Sequence, residues 1–336
     1  MKELVRELSE EHPNSGYREI RAMLASRNPP IHVQKERIRL ILREVDPAGT
    51  AKRWATNIQR RTYFVPTANF LWHVDTHHKL IQWKIVIDGC IDGYSRLITH
   101  LNARTNNLAL SALDDFLSGV IEYGVPGKVR ADGGSEFNHV AKFMNQVDGT
   151  ERCIRGKSVH NERIERLWRD VFEKVASKYH AIFTRLTNYG VLSDKNPLQM
   201  FVLHHVYLPR LQADLHEWRN THNHHPVSTA GNQTPLRLWH ESFILHANSE
   251  YSSIQNVLFS TDDSRREEIR SFRENNDFPE PDDIKMKLSR VPSPISDARL
   301  EELHRTVDVT RQSPCNGIDI YQEVMRFVRE AIRADA

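Results

Sequence analysis

The order of secondary-structure patterns between Phe70 and Asp132 most constrains the fold of this chain. Three short segments rich in apolar residues follow one another, FLWHVDTHHKL, WKIVIDGCID and YSRLITHLNA, and turn residues Gly89, Asp92 and Gly93 separate the second from the third. A segment with apolar residues at helical spacing, NNLALSALDDFLSGVIEYG, then precedes a short strand-like segment, KVRAD. This order predicts three antiparallel strands, a helix and a fourth strand, which together form a mixed α/β sheet with helical cover.

The segment before these strands is helical in character. Apolar residues recur at helical spacing in three stretches within residues 1–48, and HPNSG and NPPI interrupt them. The third stretch interleaves Lys35, Arg37 and Arg39 with apolar positions, which is typical of a helix-turn-helix-like module that contacts DNA. A small helical bundle without DNA contacts fits the same pattern. Residues 49–69 are predicted to form a basic linker.

Charge is distributed unevenly along the 336 residues. Residues 1–65 carry 13 basic and 8 acidic side chains, and residues 151–240 carry the same numbers, whereas residues 241–336 carry 13 basic and 19 acidic ones. Two basic zones suit a phosphate backbone, although a solvated mixed surface gives similar counts. No apolar run approaches the roughly 20 residues that a membrane-spanning helix needs. The three cysteines are far apart and form no CxxC pair, which argues against a zinc knuckle.

The remainder of the chain is predicted to be mostly helical and then polar. Residues 161–179 show an apolar stripe at helical spacing, and residues 196–223 predict a pair of long helices broken near Pro209. Residues 243–336 are expected to form a polar, partly disordered tail. Within this tail we expect irregular structure over 249–315, and the segment IDIYQEVMRFVREAI predicts a terminal amphipathic helix.

Three acidic residues occupy positions at which a carboxylate needs an explanation. Asp75 lies inside the first apolar strand, Asp132 ends the fourth, and Glu165 lies on the helix that follows. A carboxylate within an apolar strand is costly unless a charge compensates it, and a divalent cation would do so. The alternative is purely structural: Asp75 ends a strand, Asp132 opens a turn, and Glu165 pairs with Arg169 one helical turn later.

The region from about Trp72 to Trp239 resembles the integrase core of retroelements and bacterial DDE transposases, and most of all the eukaryotic integrase-core-domain proteins. The matching strings are LWHVDTHHKLIQW, IDGYSRLITHL, GVPGKVRADGGSEF, SVHNERIERLWRDVF, NHHP and GNQTPLRLW, in this order. The resemblance implies a catalytic core over residues 70–242 with an RNase H-like fold, that is, a mixed five-stranded sheet with flanking helices. The helical start bears a looser similarity to the segment ahead of the core in bacterial transposases.

The resemblance also implies a chemistry. Asp75 matches the first acid of the family, Asp132 the second, and the string from Asn161 to Arg166 selects Glu165 as the third, with Glu162 as its rival. These acids would hold two Mg²⁺ (or Mn²⁺) ions for cleavage and strand transfer on double-stranded DNA. The spacing of 33 positions between Asp132 and Glu165 is slightly shorter than in retroviral integrases, and their zinc-binding HHCC module is absent from this sequence.

Several residues are predicted to support this site. The cations Arg155, Lys157, Arg163 and Arg166 are candidates for phosphate contacts, or else belong to a solvated helix face. His160 and Asn161 precede the third acid, where Asn161 could cap the helix and its neighbours could meet DNA. Structural roles are predicted for two further sets, turn formation for Asp92 and Ser95 and core packing for Trp72, Trp83 and Trp168.

The sequence therefore predicts an integrase or transposase-like polynucleotidyl transferase derived from a mobile element. By resemblance we expect a homo-oligomer, at least a dimer, in the nucleus of a eukaryotic cell and without membrane attachment. The main alternative is a domesticated, catalytically silent protein that binds DNA or acts as a scaffold. A weaker alternative is an RNase H-like nuclease acting on RNA or on a hybrid.

Overall fold

A five-stranded mixed sheet forms the centre of the molecule. The structure is a computed structural model that describes residues 1–54, 63–146, 151–156, 161–251, 260–279 and 291–335. The strands are β1 (Leu71–His77), β2 (Val86–Asp92), β3 (Ile98–Arg104), β4 (Lys128–Ala131) and β5 (Cys153–Arg155). Their order is β3-β2-β1-β4-β5, antiparallel from β1 to β3 and parallel from β1 through β4 to β5. The predicted mixed sheet, with three antiparallel strands, a helix and a fourth strand in this order, is confirmed, and β1 lies at its centre beside β4.

Strand β1 is apolar on one face and carries polar side chains on the other. Trp72 and Val74 are fully buried against Leu113 and Phe116, which belong to the helix between β3 and β4. Because side chains alternate along a strand, His73 and Asp75 point to the opposite face of the sheet. That face therefore combines apolar cover with polar groups from the central strand.

Helices cover both faces of the sheet. They are α1 (Lys2–Glu11), α2 (Tyr17–Ala25), α3 (Lys35–Val45), α4 (Pro47–Trp54), α5 (Ala109–Tyr123), α6 (Asn138–Gln146), α7 (Glu162–Val171), α8 (Ser177–Asn188), α9 (Pro197–His224), α10 (Pro235–Leu245), α11 (Asp262–Asn275), α12 (Asp297–Thr306) and α13 (Ile318–Ala334). Helices α5, α6, α10 and α11 pack on the Trp72 face, and α7, α8, α9, α12 and α13 share the core on the opposite side. A π-helical turn, Phe172–Ala176, joins α7 to α8.

The first three helices form a small core of their own and dock on the rest of the chain. Val5, Ile20 and Ile38 are fully buried within it. Glu19 of α2 forms a salt bridge of 2.9 Å with Lys174 in the π-helical turn, and Asn14 donates to the carbonyl of Glu173 at 2.6 Å. The three-helix unit is therefore attached beside the C-terminal end of α7.

Two expectations about the second half of the chain are wrong. Helix α9 is continuous across Pro209, although proline removes one backbone hydrogen bond. Its neighbours Val206, Tyr207 and Leu211 are fully buried, and this packing holds the helix together. Irregular structure over 249–315 is contradicted in two segments, because α11 and α12 are helical, while residues 252–259 and 280–290 lie outside the described residues.

Although that segment is polar in composition, α11 contacts the core in two ways, through apolar side chains and through an ion pair. Ile269 and Phe272 of α11 bury against the α5 side, and the nearly buried Arg273 pairs with Asp114. In contrast, the predicted terminal helix is confirmed as α13. Across the residues that the structure describes, no helix combines the length and the apolar character that a membrane span requires.

Candidate metal and nucleic-acid site

The register of two parallel strands brings Asp75 and Asp132 to the same level of the sheet. In the β1–β4 ladder, Leu71 pairs with Lys128 and His73 pairs with Arg130. Two further steps along both chains align Asp75 with Asp132, which directly follows the last residue of β4. Since side chains alternate with a period of two, both carboxylates leave the sheet on the same face. The two acids are therefore neighbours in the fold, and the charge of Asp132 raises the pKa of Asp75.

The environment of Asp75 disfavours its negative charge. Burial raises the pKa of Asp75 to about 6, and hydrogen bonds from Trp168 and from the backbone of Thr76 oppose this rise. The negative charges of Asp132 and Asp88 raise the pKa of Asp75 further. A half-buried carboxylate beside another acid is a setting in which a bound cation would stabilise the ionised form.

Trp168 contacts Asp75 directly. Its indole Nε1 donates a hydrogen bond of 2.7 Å to Oδ2 of Asp75. The six-membered ring of the indole lies over Gly89, the residue that pairs with Asp75 in β2, so closely that a Cβ atom there would lie 2.7 Å from Cη2. Trp72, Trp83 and Trp168 are all buried, as predicted, but the role of Trp168 as a donor to an acid was not predicted.

Helix α7 presents Glu165 beside the two residues that attach it to β1. Asn161 and Trp168 both bond to β1, to the carbonyl of Val74 and to Asp75 respectively. At about 100° per residue, Glu165 lies about 40° from Asn161 and about 60° from Trp168 around the helix axis. Glu162 lies about 100° and about 120° away from them. The helix geometry therefore favours Glu165 over Glu162 as a partner of Asp75.

The three acids do not form a closed ligand cluster. Among the described residues, no group of three or more His, Cys, Asp or Glu side chains is arranged to hold a metal ion. Asp132 accepts a hydrogen bond of 2.9 Å from the backbone of Gly134, so it also opens the turn that the structural alternative predicts. The predicted ion pair of Glu165 with Arg169 is not among those of the described chain, where Arg166 instead pairs with Asp170 at 3.0 Å. The donor set that fits a divalent cation is thus Asp75 with Asp132, and Glu165 lies exposed on the adjacent helix.

The predicted phosphate-binding cations lie in different surroundings. Arg155 is exposed at the end of β5 and donates to Asn138 at 2.6 Å, whereas Arg166 is exposed on α7. Arg163 is half-buried, with its guanidinium 4.3 Å from the centre of the Tyr63 ring, and this burial lowers its pKa. Lys157 and His160 lie outside the described residues.

The three predicted DNA-contacting cations of α3 lie on a surface helix. Lys35 and Arg37 are exposed, and Arg39 is half-buried. Lys35 and Arg39 approach the ring of Tyr17 at 5.7 and 5.6 Å, and Arg39 also pairs with Glu36 at 3.0 Å.

Asn161 does not have the predicted capping role. It occupies the N-cap position of α7, but its side chain makes no capping hydrogen bond and is 2% exposed. Its amide oxygen instead bonds to His73 Nδ1, and the Nε2 atom of His73 bonds to the hydroxyl of Tyr63. Burial lowers the pKa of His73 to about 4 and raises that of Tyr63 to about 12.

His73 is not among the residues predicted from the sequence to belong to the site. A histidine two positions before a candidate metal ligand, in an otherwise apolar strand, marks a buried polar group that needs partners. Asp92 and Ser95, in contrast, form the predicted turn. The backbone N–H and the hydroxyl of Ser95 both donate to Asp92 Oδ2 at 2.7 Å.

Comparisons with known proteins agree with this architecture. Residues 62–253 match the family model described as an integrase core domain. The HTLV-2 integrase catalytic core domain in complex with magnesium, in its trimeric form, is 15% identical in sequence and has a TM-score of 0.35. The alignment covers 52% of this chain and 98% of the HTLV-2 chain. A chain of the simian T-cell lymphotropic virus intasome in complex with the PP2A regulatory subunit B56 gamma is 16% identical and has a TM-score of 0.39. The alignment covers 70% of this chain and 72% of the intasome chain. No curated protein matches the sequence.

The structural likenesses are distant, and the family assignment rests on the family model, which spans more than half of the chain. The matched residues contain the whole sheet, helices α5 to α10 and all three predicted acids. The chain belongs to the integrase core domain family.

Proposed function

We propose that this protein is a DNA polynucleotidyl transferase, in which Asp75, Asp132 and Glu165 hold divalent cations, Mg²⁺ or Mn²⁺. The observation that supports the proposal is the parallel pairing of β1 with β4, whose register, extended by two positions, aligns Asp75 with Asp132. The charge of Asp132 also raises the pKa of Asp75, in agreement with this alignment. When bound, divalent cations there would lower the pKa of an attacking water or 3′-hydroxyl and stabilise the leaving oxygen. Each of the three carboxylates supplies the hard oxygen donors that such ions prefer.

Arginine side chains of the protein would bind the phosphates of the DNA substrate around this site. Arg155 at the end of β5 and Arg166 on α7 are exposed, and in this proposal both contact phosphates of the DNA backbone. Arg163 would hold its phosphate from a more enclosed position beside Tyr63. No Ser or Tyr nucleophile is required, because the attacking group is a water or a DNA hydroxyl.

The N-terminal helices would add a second DNA contact. The three predicted DNA-contacting cations of α3, the exposed Lys35 and Arg37 and the half-buried Arg39, suit a helix that lies against the DNA backbone or in its major groove. The salt bridge between Glu19 and Lys174 attaches this unit beside α7, so one duplex could reach both sites. We further propose that the protein assembles as a homo-oligomer on double-stranded DNA in the nucleus.

One observation favours a second function, that of a catalytically silent DNA-binding protein. The indole of Trp168 occupies Oδ2 of Asp75, and the described residues hold no three-donor metal cluster. In that case the core is a scaffold that retains the family's acids without using them.

Nicking of supercoiled DNA in the presence of Mn²⁺ separates the two functions. A polynucleotidyl transferase should nick DNA in a metal-dependent manner. The nicking rate should fall roughly 100-fold or more in Asp132→Asn and in Glu165→Gln, because a lost ligand removes several kcal/mol of transition-state stabilisation. Glu162→Gln is the matched control on the same helix and should retain activity. Absence of metal-dependent nicking in the wild type, with DNA binding intact, would establish the silent protein instead.

A further inference from the structure

A continuous chain of hydrogen bonds runs beside the candidate metal site and involves none of its acids. It connects the hydroxyl of Tyr63 to His73, His73 to the side-chain amide of Asn161, and that amide to the backbone carbonyl of Val74, at 3.1 Å. His73 is fully buried and Asn161 nearly so. A buried polar network in which every member has a partner is rigid and specifies one arrangement of its elements.

The direction of each hydrogen bond follows from the chemistry of Asn161. Its amide nitrogen donates to the carbonyl of Val74, so its oxygen must be the atom that faces His73. An amide oxygen only accepts, and Nδ1 of His73 therefore carries a hydrogen. In the neutral imidazole the other nitrogen, Nε2, then accepts from the hydroxyl of Tyr63.

The three side chains belong to three different parts of the chain. Tyr63 precedes β1, His73 lies two residues before Asp75 on the same strand face, and Asn161 lies directly before α7. Arg163, on the first turn of α7, packs its guanidinium on the ring of Tyr63, 4.3 Å from the ring centre. This contact lies at the Tyr63 end of the hydrogen-bonded network. The network thus joins the segment that follows the N-terminal helices to the central strand and to α7.

Helix α7 is consequently attached to β1 at two points. Asn161 bonds to His73 and Val74 at the start of the helix, and Trp168 bonds to Asp75 nearly two turns later. Glu165 lies between these attachments, four residues after the first and three before the second. A shift or rotation of the start of α7 would move Glu165 relative to Asp75.

We propose that Tyr63, His73 and Asn161 form a positioning relay that fixes the start of α7, and thereby Glu165, against Asp75. The relay residues are positioning groups that touch neither metal nor substrate. This inference rests on the proposed function for its catalytic consequence. Its structural content, that the relay holds α7 on β1, is independent of catalysis and can be measured by itself.

The test uses the full chain in three forms: wild type, Tyr63→Phe, which keeps the ring on Arg163, and Asn161→Leu. The signals of the His73 imidazole are assigned in ¹⁵N-histidine spectra by their loss in His73→Gln. In wild type they should show a protonated Nδ1 and an unprotonated Nε2. Both Tyr63→Phe and Asn161→Leu should shift these signals. The indole N–H signal of Trp168, assigned through Trp168→Phe, should exchange with solvent at least about tenfold faster in Asn161→Leu, because losing one attachment loosens the other. Tyr94→Phe, a half-buried tyrosine outside the relay, is the control and should shift neither signal.

The same proteins are then assayed for Mn²⁺-dependent nicking. Tyr63→Phe should lower kcat about fivefold with KM for DNA unchanged, the effect of one hydrogen bond. Unchanged His73 signals in both variants would overturn the relay. Altered His73 signals with an unchanged Trp168 signal, or with an unchanged kcat, would overturn its positioning role. A wild type without activity would refute the proposed function, and the Trp168 signal would then decide the inference alone.

Discussion

The indole nitrogen of Trp168 donates to Oδ2 of Asp75 across 2.7 Å while the indole lies over Gly89, the cross-strand partner of that aspartate. One tryptophan thus fixes the orientation of the carboxylate and also occupies the space above the central strands. The contact thereby restricts the orientations in which Asp75 can meet a cation.

Trp168→Phe should destabilise the protein and weaken Mn²⁺ binding. The substitution preserves most of the ring packing but removes a hydrogen bond to an ionisable carboxylate, which is worth about 1.5–3 kcal/mol. Urea unfolding and Mn²⁺ titration by electron paramagnetic resonance measure the two effects. Trp218→Phe, at a buried tryptophan on α9, is the control for ring size and should leave metal binding unchanged. Equal Mn²⁺ affinity in wild type and Trp168→Phe would show that the indole has no influence on the site.

Gly89→Ala should displace Trp168. The new methyl group would lie 2.7 Å from Cη2 of Trp168 and 3.1 Å from Cδ1 of Leu101, and such overpacking typically costs about 1–3 kcal/mol. We expect a lower free energy of unfolding and a shift of the Trp168 indole signal. Gly156→Ala is the matched control, because a Cβ there would meet no atom within 4 Å. A Gly89→Ala protein as stable as wild type would contradict the close packing described here.

Glu19→Gln should loosen the attachment of the N-terminal helices to the core. Burial alone would raise the pKa of Glu19, but the nearby charges of Lys174 and His225 hold it below its usual value. Removing the carboxylate leaves Lys174, whose side chain is 9% exposed, without this partner, and we expect a cost of about 1–3 kcal/mol for such a partly buried pair. Hydrogen exchange in α2 should accelerate. Glu44→Gln, which breaks an exposed pair with Lys2, is the control and should leave hydrogen exchange in α2 unchanged, because exposed ion pairs contribute little to stability. Equal effects of both variants would exclude a docking role for Glu19.

Asp92 should make stability fall as the pH rises from about 4 to about 6. Burial raises the pKa of Asp92 to about 6 in the folded chain, against hydrogen bonds from Ser95 that lower it. The folded state therefore binds more protons than the unfolded state between the two pKa values, and stability decreases with pH in that window. Wild type should lose up to about 3 kcal/mol relative to Asp92→Asn between pH 4 and pH 7. Urea unfolding across this range measures the difference, and a constant difference would refute the assignment.

Much of the sheet could be predicted because its pattern is local. The alternation of Trp72, Val74 and their polar neighbours defines β1, and the turn at Asp92 and Ser95 follows from short-range hydrogen bonds. The continuity of α9 could not be predicted, because the propensity of Pro209 to break a helix is local whereas the packing that overrides it comes from distant segments. For the same reason the polar sequence of α11 concealed its attachment to α5.

The candidate site shows the same division. The positions of the two strand acids follow from the strand order, which the sequence pattern predicts, whereas their alignment depends on the β1–β4 register, which it does not. The bonds of His73 to Asn161 and of Trp168 to Asp75 connect residues 88 and 93 positions apart, and no local pattern reveals which side chains meet over such separations. The choice of Glu165 over Glu162 likewise depended on seeing which side of α7 bonds to β1.

The parallel pairing of β1 with β4 has a consequence for how chains of this kind can vary. Backbone hydrogen bonds set the level of Asp75 against Asp132, so the long stretch of sequence between them does not determine their separation. Surface connections, such as the one between β3 and α5, can lengthen at little cost in loop-closure entropy while the two acids stay aligned. Related chains can therefore differ in loop length, and acquire new surfaces for partners, without disturbing the pair of carboxylates.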